Sequence, residues 1–123
     1  EIPIGRPWQI RISFTLTRKV EHFILGVGLS TQFELPIRTS WTSPENMDKG
    51  EYETLFINDD VMLTKGIYNI TIGLSENKMA FQYLDKGISV HISDVSDLIK
   101  EERIVNTDSA LIINQMKVKI TLK

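Results

Sequence analysis

Two histidines, His22 and His91, are the only imidazoles in this chain, and cysteine is absent. The histidines fall on different segments without an HxxxH-type spacing, so no transition-metal ligand set is in view. No GxxxxGK[ST] loop is present to cradle nucleotide phosphates, and no GxSxG elbow to expose a nucleophile. Carboxylates cluster at Asn58-Asp59-Asp60 and Lys100-Glu101-Glu102. The first run reads as a turn, because Asn and Asp bond to nearby backbone; a calcium site is the weaker alternative, since hard cations need several convergent oxygens. An enzyme and a resident cofactor are not expected.

Binding chemistry is better supported. Gly26, Gly28 and Ser30 alternate along one segment, and Asn69, Thr71 and Gly73 along another. On two neighbouring strands these residues form an outward face with almost no side chains. Glycines weaken a central strand, and one reason to keep them is close approach to the backbone. Arg38 and Trp41 are expected to flank this shallow trough on one side, and Tyr83, Ser89 and His91 on the other. An extended, hydroxyl-rich ligand suits such a surface. Sugar rings lay their C–H faces on aromatics such as Trp41 or Tyr83, and hydroxyls bond to Arg38, Asn69, Ser89 and His91. The competing reading is that the glycines relieve twist or crowding and that Trp41 fills a core gap.

Strands must position these groups. Ile10, Ile12, Phe14 and Leu16 alternate with polar residues over 9–16; Phe23, Leu25, Val27 and Leu29 do so over 23–30. Such period-two patterning predicts strands with one face on a core. Leu35 to Trp41 predicts a third strand, and a polar loop runs on to Gly50. Tyr52 to Ile57 holds a fourth, whose inward face is either Tyr52 and Phe56 or Leu55 and Ile57. In Leu63-Thr64-Lys65-Gly66-Ile67-Tyr68 a turn glycine leads to a strand-opening tyrosine, the pattern of a sandwich corner. Tyr68, Ile70, Ile72 and Leu74 then point inward. Glu76 to Asp85 reads as a hairpin-like loop carrying Phe81 and Tyr83. Ile88, Val90 and Ile92 are expected inward on the strand that follows. Polar residues 94–102 suggest a linker or a short helical turn. Leu111–Ile113 and Met116–Leu122 supply further strands, with Met116, Val118, Ile120 and Leu122 on one face. Short strands at regular spacing predict an all-β sandwich or barrel. Residues 1–93 form its body. Residues 94–123 are a linker and C-terminal strand that either complete the same domain or are exchanged in a dimer.

The bulk properties agree. The chain has 123 residues, 41% hydrophobic and 24% charged, with a net charge of −2, which fits one globular domain. No apolar run nears the roughly 20 residues needed to span a bilayer. No basic stripe marks a nucleic-acid binder; Lys117, Lys119 and Lys123 read as solubilising charges on an edge strand. The first residue is Glu1 rather than methionine, so the chain is expected to be a piece of a longer protein.

Several segments together resemble the C-terminal carbohydrate-binding domain of the Wzt-type ATP-binding subunit of bacterial O-antigen (polysaccharide) ABC exporters. They are Ile4-Gly5-Arg6-Pro7, Phe23-Ile24-Leu25-Gly26-Val27-Gly28-Leu29, the Leu63…Gly66…Tyr68 step, and Leu84-Asp85 followed by Ile88-Ser89-Val90. In order and spacing the resemblance covers roughly residues 2 to 93. It implies an all-β, immunoglobulin-like antiparallel β-sandwich in the cytoplasm that recognises a finished, lipid-linked glycan before export. It also implies an ATPase domain preceding this one, a membrane transporter subunit as partner of the parent protein, and homodimers, some formed by exchange of a C-terminal strand. The alternative function is an immunoglobulin-like interaction or spacer domain of a surface protein, without glycan affinity. Residues upstream of Glu1 distinguish the two: a P-loop ATPase fits the first, a signal peptide with tandem sandwich repeats the second.

Overall fold

The computed structural model describes residues 1–93, 111–114 and 116–122, apart from the side chains of 85–87. Its strands are β1 (Ile2–Pro3), β2 (Trp8–Leu16), β3 (Val20–Thr31), β4 (Pro36–Trp41), β5 (Glu45–Met47), β6 (Gly50–Asn58), β7 (Gly66–Glu76) and β8 (Met79–Ser93). Six form one sheet in the order β1-β8-β7-β3-β4, with β5 also pairing β3, while β2 and β6 form a second, two-stranded sheet. The pairing is antiparallel except between β1 and β8. The larger sheet is therefore mixed rather than purely antiparallel, and the all-β sandwich stands.

Alternation decides which face is covered. Phe23, Leu25, Val27 and Leu29 of β3 and Tyr68, Ile70, Ile72 and Leu74 of β7 are all buried, and these two strands are direct neighbours. Ile10, Ile12, Phe14, Tyr52 and Phe56 of the small sheet pack against them. The ambiguity on β6 resolves to Tyr52 and Phe56 inward, leaving Leu55 and Ile57 exposed. Phe14 links the layers, stacked on Phe23 at 5.3 Å and on Tyr52 at 5.5 Å between ring centroids, a favourable offset-stacking range.

The crossing from β6 to β7 carries the tyrosine corner. Gly66 has φ of +149°, backbone that side-chain-bearing residues rarely adopt. The buried Tyr68 hydroxyl donates a 2.7 Å hydrogen bond to the Thr64 carbonyl. At the start of the same crossing the buried Asn58 donates from Nδ2 to the Val61 carbonyl at 2.8 Å and accepts from Arg38 at 3.2 Å. Asn58-Asp59-Asp60 is thus a turn tied down by Arg38.

Four expectations need correction. Residues 76–85 are not a hairpin-like loop: β7 and β8 meet in a tight turn at Asn77 and Lys78, with φ of +47° and +69°, and β8 begins at Met79. Two register shifts interrupt the pairing of β7 with β8, and the one between Leu74 and Ser75 breaks the alternation of β8, which hid the strand. Ile88 pairs with buried Ile70 yet is 42% exposed. The loop before Gly50 contains β5. Leu111–Ile113 contributes one bridge, Leu63 to Ile112, rather than a strand, and Met116–Leu122 is not in a strand. Residues 94–102 and Lys123 lie outside the described residues.

Candidate functional site

The outward face of β3 and β7 forms a trough of about 350 Å³. Register explains its shape. Trp41 on β4 pairs with Gly26 on β3, Gly26 pairs with Gly73 on β7, and Gly73 pairs with Tyr83 on β8. One row across four strands therefore reads aromatic, glycine, glycine, aromatic. The next row is Thr39, Gly28 and Thr71, and beyond it Ser30 pairs with Pro36 and with Asn69, which pairs in turn with Ser89.

The glycines form an open floor. A methyl at Gly28 would meet only the Thr71 Cβ, at 3.7 Å, and one at Gly26 nothing nearer than 3.9 Å. Neither glycine is needed to avoid a clash, so what they provide is free space. Gly73 differs. Its missing side chain is replaced by the Tyr83 ring, whose Cδ2 lies 3.4 Å from the position a Cβ would take. The ring leans across the β7 backbone, the way an aromatic commonly covers a glycine on the adjacent strand. Its remaining surface is free, since Tyr83 is 65% exposed, and Trp41 at the opposite end is 64% exposed. Trp41 therefore does not fill a core gap.

The structure brings Gly26, Gly28, Ser30, Thr71 and Tyr83 together in the trough wall and floor, with Trp41 bordering Gly26. Asn69 and Ser89 continue the same face in the Ser30 row. His91 lies further along, paired with Ile67, and its Nδ1 is 3.3 Å from the Glu1 carboxylate. Arg38 is not in the trough. It sits opposite the inward-facing Leu29, and its guanidinium forms two bonds of 2.6 and 3.0 Å to the Asp60 carboxylate. Arg38 and Trp41 are three positions apart on a strand, so they face opposite ways; that parity was legible in the chain. The same parity identifies Thr39, two residues before Trp41, which sequence reasoning missed along with Pro36.

Hydroxyls, an amide and two aromatic faces can bind a polar, ring-shaped ligand but offer no nucleophile–base pair. Among the described residues no group of three or more His, Cys, Asp or Glu side chains is placed to hold a metal ion. No helix among them is long and apolar enough to cross a membrane.

Fold and site together define a β-sandwich with an aromatic-flanked trough on its larger sheet. No family model and no curated protein matches the chain. Among solved structures, the crystal structure of the C-terminal domain of Wzt is similar with a TM-score of 0.72 at 12% identity, the match covering 99% of this chain and 73% of that one. At that identity the likeness defines the fold, the β-sandwich of the Wzt C-terminal domain.

Proposed function

We propose that this chain is a non-catalytic glycan-binding module that recognises a lipid-linked O-antigen-type polysaccharide for export by an ABC transporter. The observation that carries the reading is the row Trp41–Gly26–Gly73–Tyr83. Two exposed aromatics stand at the ends of this row, with Gly26 open between them, beside the hydroxyls of Ser30, Thr39 and Thr71. The motif resemblance to Wzt-type exporter subunits and the fold likeness to the C-terminal domain of Wzt support the same assignment. On this reading the domain works in the cytoplasm, beside the membrane subunit of the transporter.

A homodimer formed through the C-terminal strand belongs to the same proposal. Met116, Val118, Ile120 and Leu122 are 86%, 78%, 94% and 97% exposed, a cost that pairing would remove. Among the described residues β2 and β6 each pair on one side only, leaving edges a strand from a second copy can extend.

Calorimetric titration with mild-acid-released envelope polysaccharide of the producing bacterium tests the assignment. Wild type should bind and a folded Thr71→Arg variant, with a long side chain in the trough, should not. Equal affinity of the two would move the site elsewhere.

A further inference from the structure

Charged residues make up 24% of this chain, yet none of the described residues lining the trough carries a charge. The neutral surface continues past the lining. Beyond Gly26 the next outward pair is Ile24 with Ser75, and beyond Gly28 Ser30 pairs with Asn69, which pairs with Ser89. Charged groups on the same strands are turned to other partners. Arg38 of β4 faces the core side and holds Asp60, and Glu76 at the end of β7 is held by Arg18 at 2.9 and 3.0 Å. His91, two residues past Ser89, stands beside the Glu1 carboxylate. The outward side of the small sheet is unlike this, for Arg11, Glu51 and Glu53 stand there, with Arg11 Nε 3.5 Å from the Glu53 carboxylate.

From this distribution we infer that the sugar held over Gly26 and Gly28 is uncharged, a neutral or N-acetylated unit and not a uronic acid or a phosphate-bearing one. The inference rests on the glycan-binding reading and adds the class of sugar. A charged group laid on this surface gives up water and finds no fixed opposite charge among the described residues, which costs more than any one hydrogen bond returns. A neutral ring exchanges its water for the hydroxyls of Ser30, Thr39 and Thr71, each both donor and acceptor. Thr39 and Thr71 stand on either side of Gly28 in one row. They bracket the open floor, and their branched side chains turn little about χ1.

Replacements of both signs at one position read the charge of the bound sugar. Thr39 is exposed on edge strand β4, so Thr39→Gln, Thr39→Glu and Thr39→Lys should fold with the wild-type melting temperature. Each would be titrated calorimetrically, in the full chain, with mild-acid-released envelope polysaccharide of the producing bacterium. The glutamine variant gives the cost of a longer neutral side chain. The glutamate and lysine variants should match it within about twofold, at low and at high salt alike. Opposite shifts of about fivefold, the effect of a unit charge at contact distance in water, overturn the inference and leave glycan binding intact. Such shifts would also shrink as salt is added. Should all three long side chains abolish binding, the wild type decides: affinity that holds from low to high salt supports the neutral contact, and a steep fall overturns it. Absence of binding to wild type at every salt concentration overturns the glycan-binding reading itself.

Discussion

The Tyr68 hydroxyl, 2.7 Å from the Thr64 carbonyl, joins the end of the crossing loop to the start of β7. Burial pushes this hydroxyl above its ordinary pKa, which keeps it a neutral donor. Tyr68→Phe should lower stability by about 1 kcal/mol, the net worth of one such bond, and chemical denaturation measures it; an unchanged midpoint would deny the bond that role. A second pair of residues sets the acid response. The hydrogen-bonded guanidiniums of Arg38 and Arg18 hold Asp60 and Glu76 below their ordinary values of 3.8 and 4.5. A folded-state value below the unfolded one means that this stabilisation is complete above the ordinary values and is lost as pH falls through the lower folded ones. Both carboxylates are reached by solvent, so the effect is modest. An Asp60→Asn/Glu76→Gln double variant should lose less stability than wild type on acidification, and parallel melting-temperature profiles would contradict the assignment. At this scale Tyr68 and Gly66 were legible because a corner needs those residue types at that spacing. Arg38 was misread as a ligand contact because its residue type suggested sugar binding, while its strand parity pointed inward.

The strands differ in how plainly they could be read. Strands β2 and β7, and β3 from Phe23 onward, alternate without a break in their apolar faces, so the inward side of Leu25 and Ile70 and the outward side of Gly28 and Thr71 follow from period two alone. Strand β8 shifts register by two residues between its partners Ile70 and Ile72, and by one between Leu74 and Ser75, and the one-residue shift moves side chains to the other face. Its start was hidden as well, since Asn77 and Lys78 sit at positive φ where hairpins favour Asn-Gly. Lys78→Gly should relieve that backbone and raise stability by roughly 0.5–1 kcal/mol, read as a higher melting temperature. A lower one would show that the lysine side chain contributes more than its backbone costs. The same shifts bring Tyr83 beside Gly73, so the aromatic pairing across the trough required coordinates to see.

For the molecule as a whole, the sandwich was legible because alternation, turns and the corner agree, and because the Wzt resemblance runs through the same segments. The proposed association of copies rests on a different place, the C-terminal segment. Leu111 to Ile113 lies against Met62 to Thr64, where the Ile113 amide donates to the Met62 carbonyl and the Thr64 amide to the Leu111 carbonyl, both at 2.7 Å. The alternating segment beyond it is left exposed. Ending the chain after Asn114 should leave the sandwich folded and convert a dimer to a monomer in light scattering; a dimer that survives the truncation would place the interface elsewhere. Period two shows that Met116 to Leu122 can be a strand but not whose sheet it enters, because self-completion and exchange bury the same face.

The central claim is that the glycine-floored trough holds the glycan, and Gly28 tests it most directly. A Cβ there meets only the Thr71 Cβ, at 3.7 Å, and the backbone is ordinary, so Gly28→Leu, its side chain directed into the open trough, should fold as wild type does while filling the floor. Calorimetric titration with the released envelope polysaccharide should then show binding to wild type and none, or at least a tenfold loss, for Gly28→Leu at an unchanged melting temperature. Equal affinity in the two proteins would contradict the account.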